Sequence, residues 1–242
     1  MASPEQLSYS SHLGFTNRNV EGVELKWEQA VTVVERLIMA ALMECCSIRL
    51  YESLKYADII EDLKTTCTHD LITFSTKDPS AGNEIEVLAR ASTSFTAVLH
   101  YRIANWIYRH LQEPEKTMLA ALLSRRGKLL SGAEIHFKCT IGQRFVLDHG
   151  YGTVIGETAR IGNDCYILGG VTLGSREIAT NVPSPRHPQL GDRVQVGMNA
   201  TLLGPIDIGD DAFIGTGCLV SRDVPAGHRV TLRREQNITV MK

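Results

Sequence analysis

Long apolar runs are missing from this sequence. None reaches about 18 residues, so no membrane-spanning helix is expected. The N-terminus also lacks the basic-then-apolar pattern of a secretory signal, and a cytoplasmic protein is the expectation. No basic cluster is present. Lys and Arg number 25 against 27 Asp and Glu, a net charge of -2, which gives no electrostatic footprint for nucleic acid. The six cysteines (Cys45, Cys46, Cys67, Cys139, Cys165 and Cys218) form no CxxC pair, so the usual zinc and redox motifs are excluded. Scattered buried thiols in a reducing compartment are expected instead.

What the sequence does have is a period of six. Apolar residues recur at Ile135, Ile141 and Leu147, then Ile155, Ile161, Ile167 and Leu173, then Leu190, Val196, Leu202, Ile208, Ile214 and Val220. A small residue often follows, as in Ile141-Gly142, Ile155-Gly156 and Ile214-Gly215. A helix repeats near 3.6 residues and a strand near 2, so neither explains this spacing. Hexapeptide repetition marks a β-solenoid, in which three short strands close one triangular coil and the aliphatic side chain points inward.

The residues before the repeat read as helices. Leu25, Val31, Val34, Leu37, Ile38 and Leu42 share one helical face over Glu24 to Met43. A second helix is expected over Ile48 to Leu63, ending before the Thr-rich stretch near Thr65. Lys77-Asp78-Pro79-Ser80 is a turn signal, and two further helices are expected over Glu84 to Leu111 and Glu115 to Leu130, parted by Glu113-Pro114. Residues 1 to about 22 are polar and expected to be loosely ordered.

Two phase breaks interrupt the repeat. From Leu147 to Ile155 the step is eight, across Asp148-His149-Gly150-Tyr151-Gly152-Thr153. From Leu173 to Leu190 a loop intervenes, carrying Pro183, Pro185, Arg186, His187 and Pro188. Excursions from a rigid scaffold are where chemistry can be placed, and each holds a histidine.

The run from Leu147 to Ala159, then Val171-Thr-Leu-Gly174, then Arg186-His-Pro188, resembles the serine O-acetyltransferase family, whose corresponding segments are DHxTGxVxGETA, VTLGG and RHP. The resemblance covers roughly residues 78 to 225. It implies an α+β chain with a helical N-terminal domain (1–131), a left-handed parallel β-helix (132–230) and a C-terminal tail (231–242). The implied reaction moves an acetyl group from acetyl-CoA, as co-substrate, to the L-serine hydroxyl, with no metal. Homoserine or another acyl-CoA remains open as an alternative. Related acyltransferases pack three prisms around an axis, so a homotrimer or a dimer of trimers is implied.

The hydroxyl must lose its proton as it attacks. His149 matches the family's general base, and an imidazole with an unperturbed pKa of about 6.5 suits that step. The carboxylate that would orient it comes from a VDIHP motif, which here reads Ala133-Glu134-Ile135-His136-Phe137. Glu134 is therefore the expected orienting carboxylate, either through a changed geometry or in a site reshaped for another substrate. Arg186 and His187 match the family's substrate-binding pair: a guanidinium offers parallel donors to an α-carboxylate, and the resemblance implies that His187 would bond the substrate or the developing oxyanion. Asp78 and Asp148 would receive the substrate's ammonium and hydroxyl end. Glu157 is either a supporting residue or part of a solvated corner. Coenzyme A would contact backbone near Gly174, Met198 and Thr216. His100, Tyr101 and Trp106, in a segment resembling the family's AYRIGHWLW helix, are expected to pack rather than react.

Two departures stand out. The loop Ser175 to Pro185 lacks the family's glycines and lysine, and the chain ends in Lys242 rather than isoleucine. The second departure predicts no complex with the sulfhydrylase of cysteine synthesis. A rival from another class is a metalloenzyme like the γ-type carbonic anhydrases, with His136, His149 and His187 as ligands.

Overall fold

The computed structural model describes residues 20–46, 56–78, 84–112, 115–177 and 185–233. Among them, a helical half precedes a parallel β-solenoid of between four and five coils. Helix α1 (Val20–Cys45) buries Val34, Ile38 and Leu42 of the expected stripe, with Ala30 and Ala41 beside them, while Val31 and Leu37 are half-buried. Helix α2 spans Tyr56–Lys77, so it does not end at Leu63 but runs through the Thr-rich stretch. The spacing of Leu63, Cys67, Leu71 and Phe74, all buried, carries its apolar face across those threonines. The first part of that expected helix, residues 47–55, lies outside the described residues, as do Pro79-Ser80 and Glu113-Pro114.

The single helix expected over Glu84 to Leu111 is two: α3 (Ile85–Ala91) and α4 (Thr93–His110). Ser92 sits between them in an extended conformation, and its Oγ accepts the Phe95 amide at 3.1 Å as an N-cap. Helix α5 (Glu115–Ser131) then delivers the chain to the solenoid.

Three parallel faces form the prism. Face I holds β1 (Glu134–Ile135), β4 (Val154–Ile155), β7 (Thr172–Gly174), β10 (Thr201–Leu203) and β13 (Leu219–Val220). Face II holds β2 (Thr140–Ile141), β5 (Arg160–Ile161), β8 (Gln189–Leu190) and β11 (Asp207–Ile208). Face III holds β3 (Val146–Asp148), β6 (Tyr166–Leu168), β9 (Gln195–Val196), β12 (Phe213–Ile214) and β14 (Arg229–Val230). Register stacks like on like: Ile135 on Ile155, Ile155 on Leu173, Leu173 on Leu202, Leu202 on Val220. All thirteen periodic aliphatics are buried, none more than 6% exposed. Each contributes about 1.5–3 kcal/mol by leaving water.

A second buried file stands two residues before the first. It includes Ala133, Cys139, Phe145, Ala159, Cys165, Val194, Ala212 and Cys218. Three of the six thiols are thus wall material of the prism, and all six cysteines are unpaired. Along the edge between faces II and III, Arg144, Asp164, Arg193 and Asp211 all adopt left-handed φ of 56–60°. They pair in order, Arg144 with Asp164 (2.6 and 2.8 Å) and Arg193 with Asp211 (2.8 and 2.9 Å).

The first coil has no coil before it, and helices supply what a preceding strand would. Tyr101 donates to the Cys139 carbonyl and accepts from the Ile141 amide, both at 3.0 Å. Arg102 donates to the carbonyls of Ile141 (2.6 Å) and Gly142 (2.5 Å), while Asp70 holds its Nε at 2.9 Å and accepts the Phe145 amide at 2.8 Å. Asn105 donates to Phe137 O at 2.7 Å and Ser124 to Ile135 O at 2.7 Å. Tyr101 therefore packs and seals, as its helical setting suggested, and Trp106 Nε1 donates to Asp62 at 2.9 Å.

Candidate active site

The two excursions lie on two different edges of the prism. His149 follows β3 and precedes β4, on the edge between faces III and I; Arg186 and His187 precede β8, on the edge between faces I and II. Face I separates them within one chain.

At the first edge the two extra residues make consecutive left-handed positions, His149 (φ 61°) and Gly150 (φ 64°). A non-glycine residue held there costs of order 1 kcal/mol, and such strain concentrates at sites that work. Gly150 is needed for closeness as well: a Cβ on it would stand 3.0 Å from Cβ of Ser94, in the first turn of α4. The break between α3 and α4 thus opens a cleft of about 700 Å³ between helices and solenoid. Phe74, Asp78, Leu88, Ser94, Asp148 and His149 line it. The structure brings together His149, Asp148 and Asp78. Sequence reading missed Ser92 and Ser94, although Ser92-Thr-Ser94 after Ala91 carries an N-cap signal.

The imidazole of His149 is 65% exposed, and its Nδ1 stands 3.9 Å from Asp148 Oδ1. Asp148 Oδ2 accepts the Tyr166 hydroxyl at 2.8 Å. Glu134 does not join this group. Its carboxylate pairs with Lys128, in the last turn of α5, and no hydrogen bond or ion pair links it to His149. The reason is local: β1 starts three residues after α5 ends, which sets an opposite charge beside the outward-facing glutamate.

At the second edge His187 is buried, and its ring is fixed by Thr158. The Thr158 amide donates to Nδ1 at 3.1 Å. The Thr158 hydroxyl accepts the amides of Arg186 (3.0 Å) and His187 (3.2 Å) and points its own proton at Nδ1 (2.8 Å). With Nδ1 an acceptor, the neutral ring carries its proton on Nε2 and is a donor there. Burial, then the neighbouring Arg186 charge, lowers its affinity for a second proton. Arg186 is gripped by Glu157 at 2.5 Å. Hydrogen bonds from Lys138 (2.9 Å) and from Arg186 bring the Glu157 pKa down to about 2. Lys138, Glu157, Thr158 and Arg186 line a second cleft of about 640 Å³ with Thr140, Arg160 and Gln189. A bound carboxylate there would meet an arginine already aimed.

His136 lies on this second edge, stacked on Phe137 at 4.6 Å, with Nδ1 accepting the Lys138 amide at 3.2 Å. A single chain therefore does not bring His136, His149 and His187 together, and among the described residues no cluster of three metal-ligating side chains is found. Of the expected coenzyme contacts, Met198 and Thr216 stack on the same edge as His149, where the Met198 carbonyl accepts the Gly217 amide at 2.9 Å. Gly174 ends β7, on the opposite side of face I. No helix among the described residues is long and apolar enough to cross a membrane.

Two family models match the solenoid: "Bacterial transferase hexapeptide (six repeats)" over residues 187–222 and "Hexapeptide repeat of succinyl-transferase" over residues 152–176. The chain is 42% identical over 150 residues to a serine acetyltransferase of Synechococcus elongatus, covering 62% of this chain and 58% of that protein. It is 39% identical over 163 residues to the serine acetyltransferase of Helicobacter pylori, covering 67% of this chain and 91% of that one. The solved structure of soybean serine acetyltransferase complexed with serine superposes with a TM-score of 0.68 at 29% identity, over 94% of this chain and 87% of the soybean chain. With nearly the whole Helicobacter relative covered, and with both motif-bearing excursions on the solenoid edges, the chain belongs to the serine acetyltransferase family.

Proposed function

We propose that this chain transfers an acetyl group from acetyl-CoA to the hydroxyl of L-serine, giving O-acetyl-L-serine. The observation that carries the reading is the cleft in which His149 meets Asp148 and Asp78, at the phase break of a hexapeptide solenoid. His149 takes the serine proton as the hydroxyl attacks the thioester carbonyl, and coenzyme A leaves as the thiol. Asp78, in the same cleft, matches a substrate ammonium. Arg186 receives the α-carboxylate through its free guanidinium face, and Nε2 of His187 donates to a carboxylate or an oxyanion.

Since face I lies between the two edges, the site is completed by a second subunit. One prism offers the edge of His149, and its neighbour the edge of Arg186 and His187. In a homotrimer each prism offers its His149 edge to one neighbour and its Arg186 edge to the other, and the same pairing holds in a dimer of trimers. The pantetheine arm runs along the same groove, past Met198 and Thr216 of one chain and Gly174 of the next.

The test is thiol release from acetyl-CoA with a panel of hydroxy amino acids. Serine is expected to give the highest kcat/KM, and His149→Ala to lower kcat by roughly 10²-fold or more with the thermal midpoint unchanged. A preference for homoserine would move the reading to the other acceptor. Wild-type turnover in His149→Ala would remove the base.

A further inference from the structure

A histidine base needs a carboxylate to hold its far nitrogen and steady the imidazolium that forms. Glu134 is engaged by Lys128. Asp148 is the acid beside His149, at 3.9 Å from its Nδ1. A carboxylate on the adjacent residue would ordinarily swing freely toward water. This one does not, because Asp148 Oδ2 accepts the Tyr166 hydroxyl at 2.8 Å.

The arrangement follows from register. On face III, Val146 lies beside Tyr166, Leu147 beside Ile167 and Asp148 beside Leu168. Tyr166 and Asp148 are therefore diagonal neighbours on the same outward side, a spacing that a long aromatic side chain spans. The Tyr166 ring packs against the helical core, and the ammonium of Lys77 lies 6.0 Å over it. Burial, then the hydrogen bond to Asp148 and the charges of Asp148 and Asp78, keeps the hydroxyl protonated, so it can only donate to the carboxylate. Asp148 Oδ1 is left facing His149. The backbone beneath is fixed too, with the Gly150 amide on Asp148 O at 2.8 Å and the Tyr151 amide on His149 O at 2.7 Å.

We infer that Asp148, pinned through its far oxygen by the Tyr166 hydroxyl, is the carboxylate that orients His149, and that Tyr166 is a positioning residue for the reaction. The inference rests on the reading of His149 as the base. Asp148 holds Nδ1–H, so Nε2 is the nitrogen that accepts the substrate proton. The 3.9 Å gap closes as the ring gains charge, as catalytic hydrogen bonds do in the loaded complex.

Tyr166→Phe keeps the ring and removes only the hydroxyl. The expected result is a kcat about 10-fold lower, with KM for serine and acetyl-CoA within about twofold of wild type and the thermal midpoint unchanged. In protein with ¹⁵N-labelled histidine, the His149 ring signals, assigned by their loss in His149→Ala, should move away from the Nδ1–H tautomer in Tyr166→Phe. They should move in the same direction in Asp148→Asn, and Glu134→Gln should leave both kcat and the tautomer unchanged. Wild-type kcat and an unshifted tautomer in Tyr166→Phe, beside an inactive His149→Ala, would overturn the inference while sparing the base. So would a Glu134→Gln enzyme that reproduces the loss. If His149→Ala is itself active, the base reading fails, and the tautomer shift in Tyr166→Phe still decides whether Tyr166 and Asp148 orient the ring.

Discussion

The Nε2 atom of His187 rests against the Cα of Gly156: a methyl group on that carbon would meet the ring nitrogen at 2.1 Å. Gly156 opens the corner into which the buried imidazole folds, and Thr158 holds the ring from its other nitrogen. The ring has no retreat that preserves both contacts. Gly156→Ala should therefore displace His187, lowering kcat/KM by about 10- to 100-fold while the solenoid stays intact by circular dichroism. A wild-type rate in that variant would show that His187 Nε2 is not needed where it now stands.

Sharing of the site between subunits makes a second prediction. A His149→Ala chain and an Arg186→Ala, His187→Ala chain should each be inactive. After subunit exchange the mixture should recover activity, because some interfaces then carry an intact edge from each partner. Mixed assemblies, verified by mass spectrometry, that stay inactive would place the whole site within one chain.

The buried pair Asp70–Arg102 predicts an asymmetry in stability. Asp70→Asn leaves a buried guanidinium without its counter-charge and should cost about 3–5 kcal/mol in denaturant unfolding. Replacing both residues with apolar ones often relieves such a loss elsewhere. Here it should not, since Arg102 also serves the carbonyls of Ile141 and Gly142, which would be left unpaired. A double variant as stable as the parent would contradict this.

Acid sensitivity follows from the histidines. Burial lowers the proton affinity of His69 to about 4, and shifts His100, His136 and His187 in the same direction. The unfolded chain takes up these protons near 6.5, whereas the folded chain resists them. Unfolding therefore binds protons, and stability should be lost as pH falls from about 6.5 toward 4. The thermal midpoint should drop by about 5 °C or more across that range, and His69→Gln should flatten the slope. A midpoint that is constant over that range would contradict the shifts.

The solenoid was legible because its inward aliphatics recur at one fixed spacing, and burial of Ile135 through Val220 is what that spacing meant. The companion file containing Cys139, Cys165 and Cys218 was not, because its residues range from alanine to phenylalanine and share only burial. The pause at Ser92 was hidden by apolar residues that continue in helical phase on both sides. At the site, His149, Asp148 and Asp78 were marked by motif and brought together by the fold. The partner of Glu134 was not foreseeable, because it depends on where α5 stops. Tyr166 was overlooked because cross-coil register, not sequence distance, sets it beside Asp148.

The side chains of α4 and α5 that meet the first coil have a consequence for the order in which the molecule is made. A repeat array grows easily once begun, but its first unit must bury its faces with nothing to stack on. Tyr101, Arg102, Asn105 and Ser124 present ready donors and acceptors to residues 135–142 before any second coil exists. They precede the solenoid in the chain, so they emerge first during synthesis. Winding is therefore expected to start from this prepared seed and to proceed toward the C-terminus. A chain stripped of that seed would begin with a bare strand edge, the surface on which other chains add.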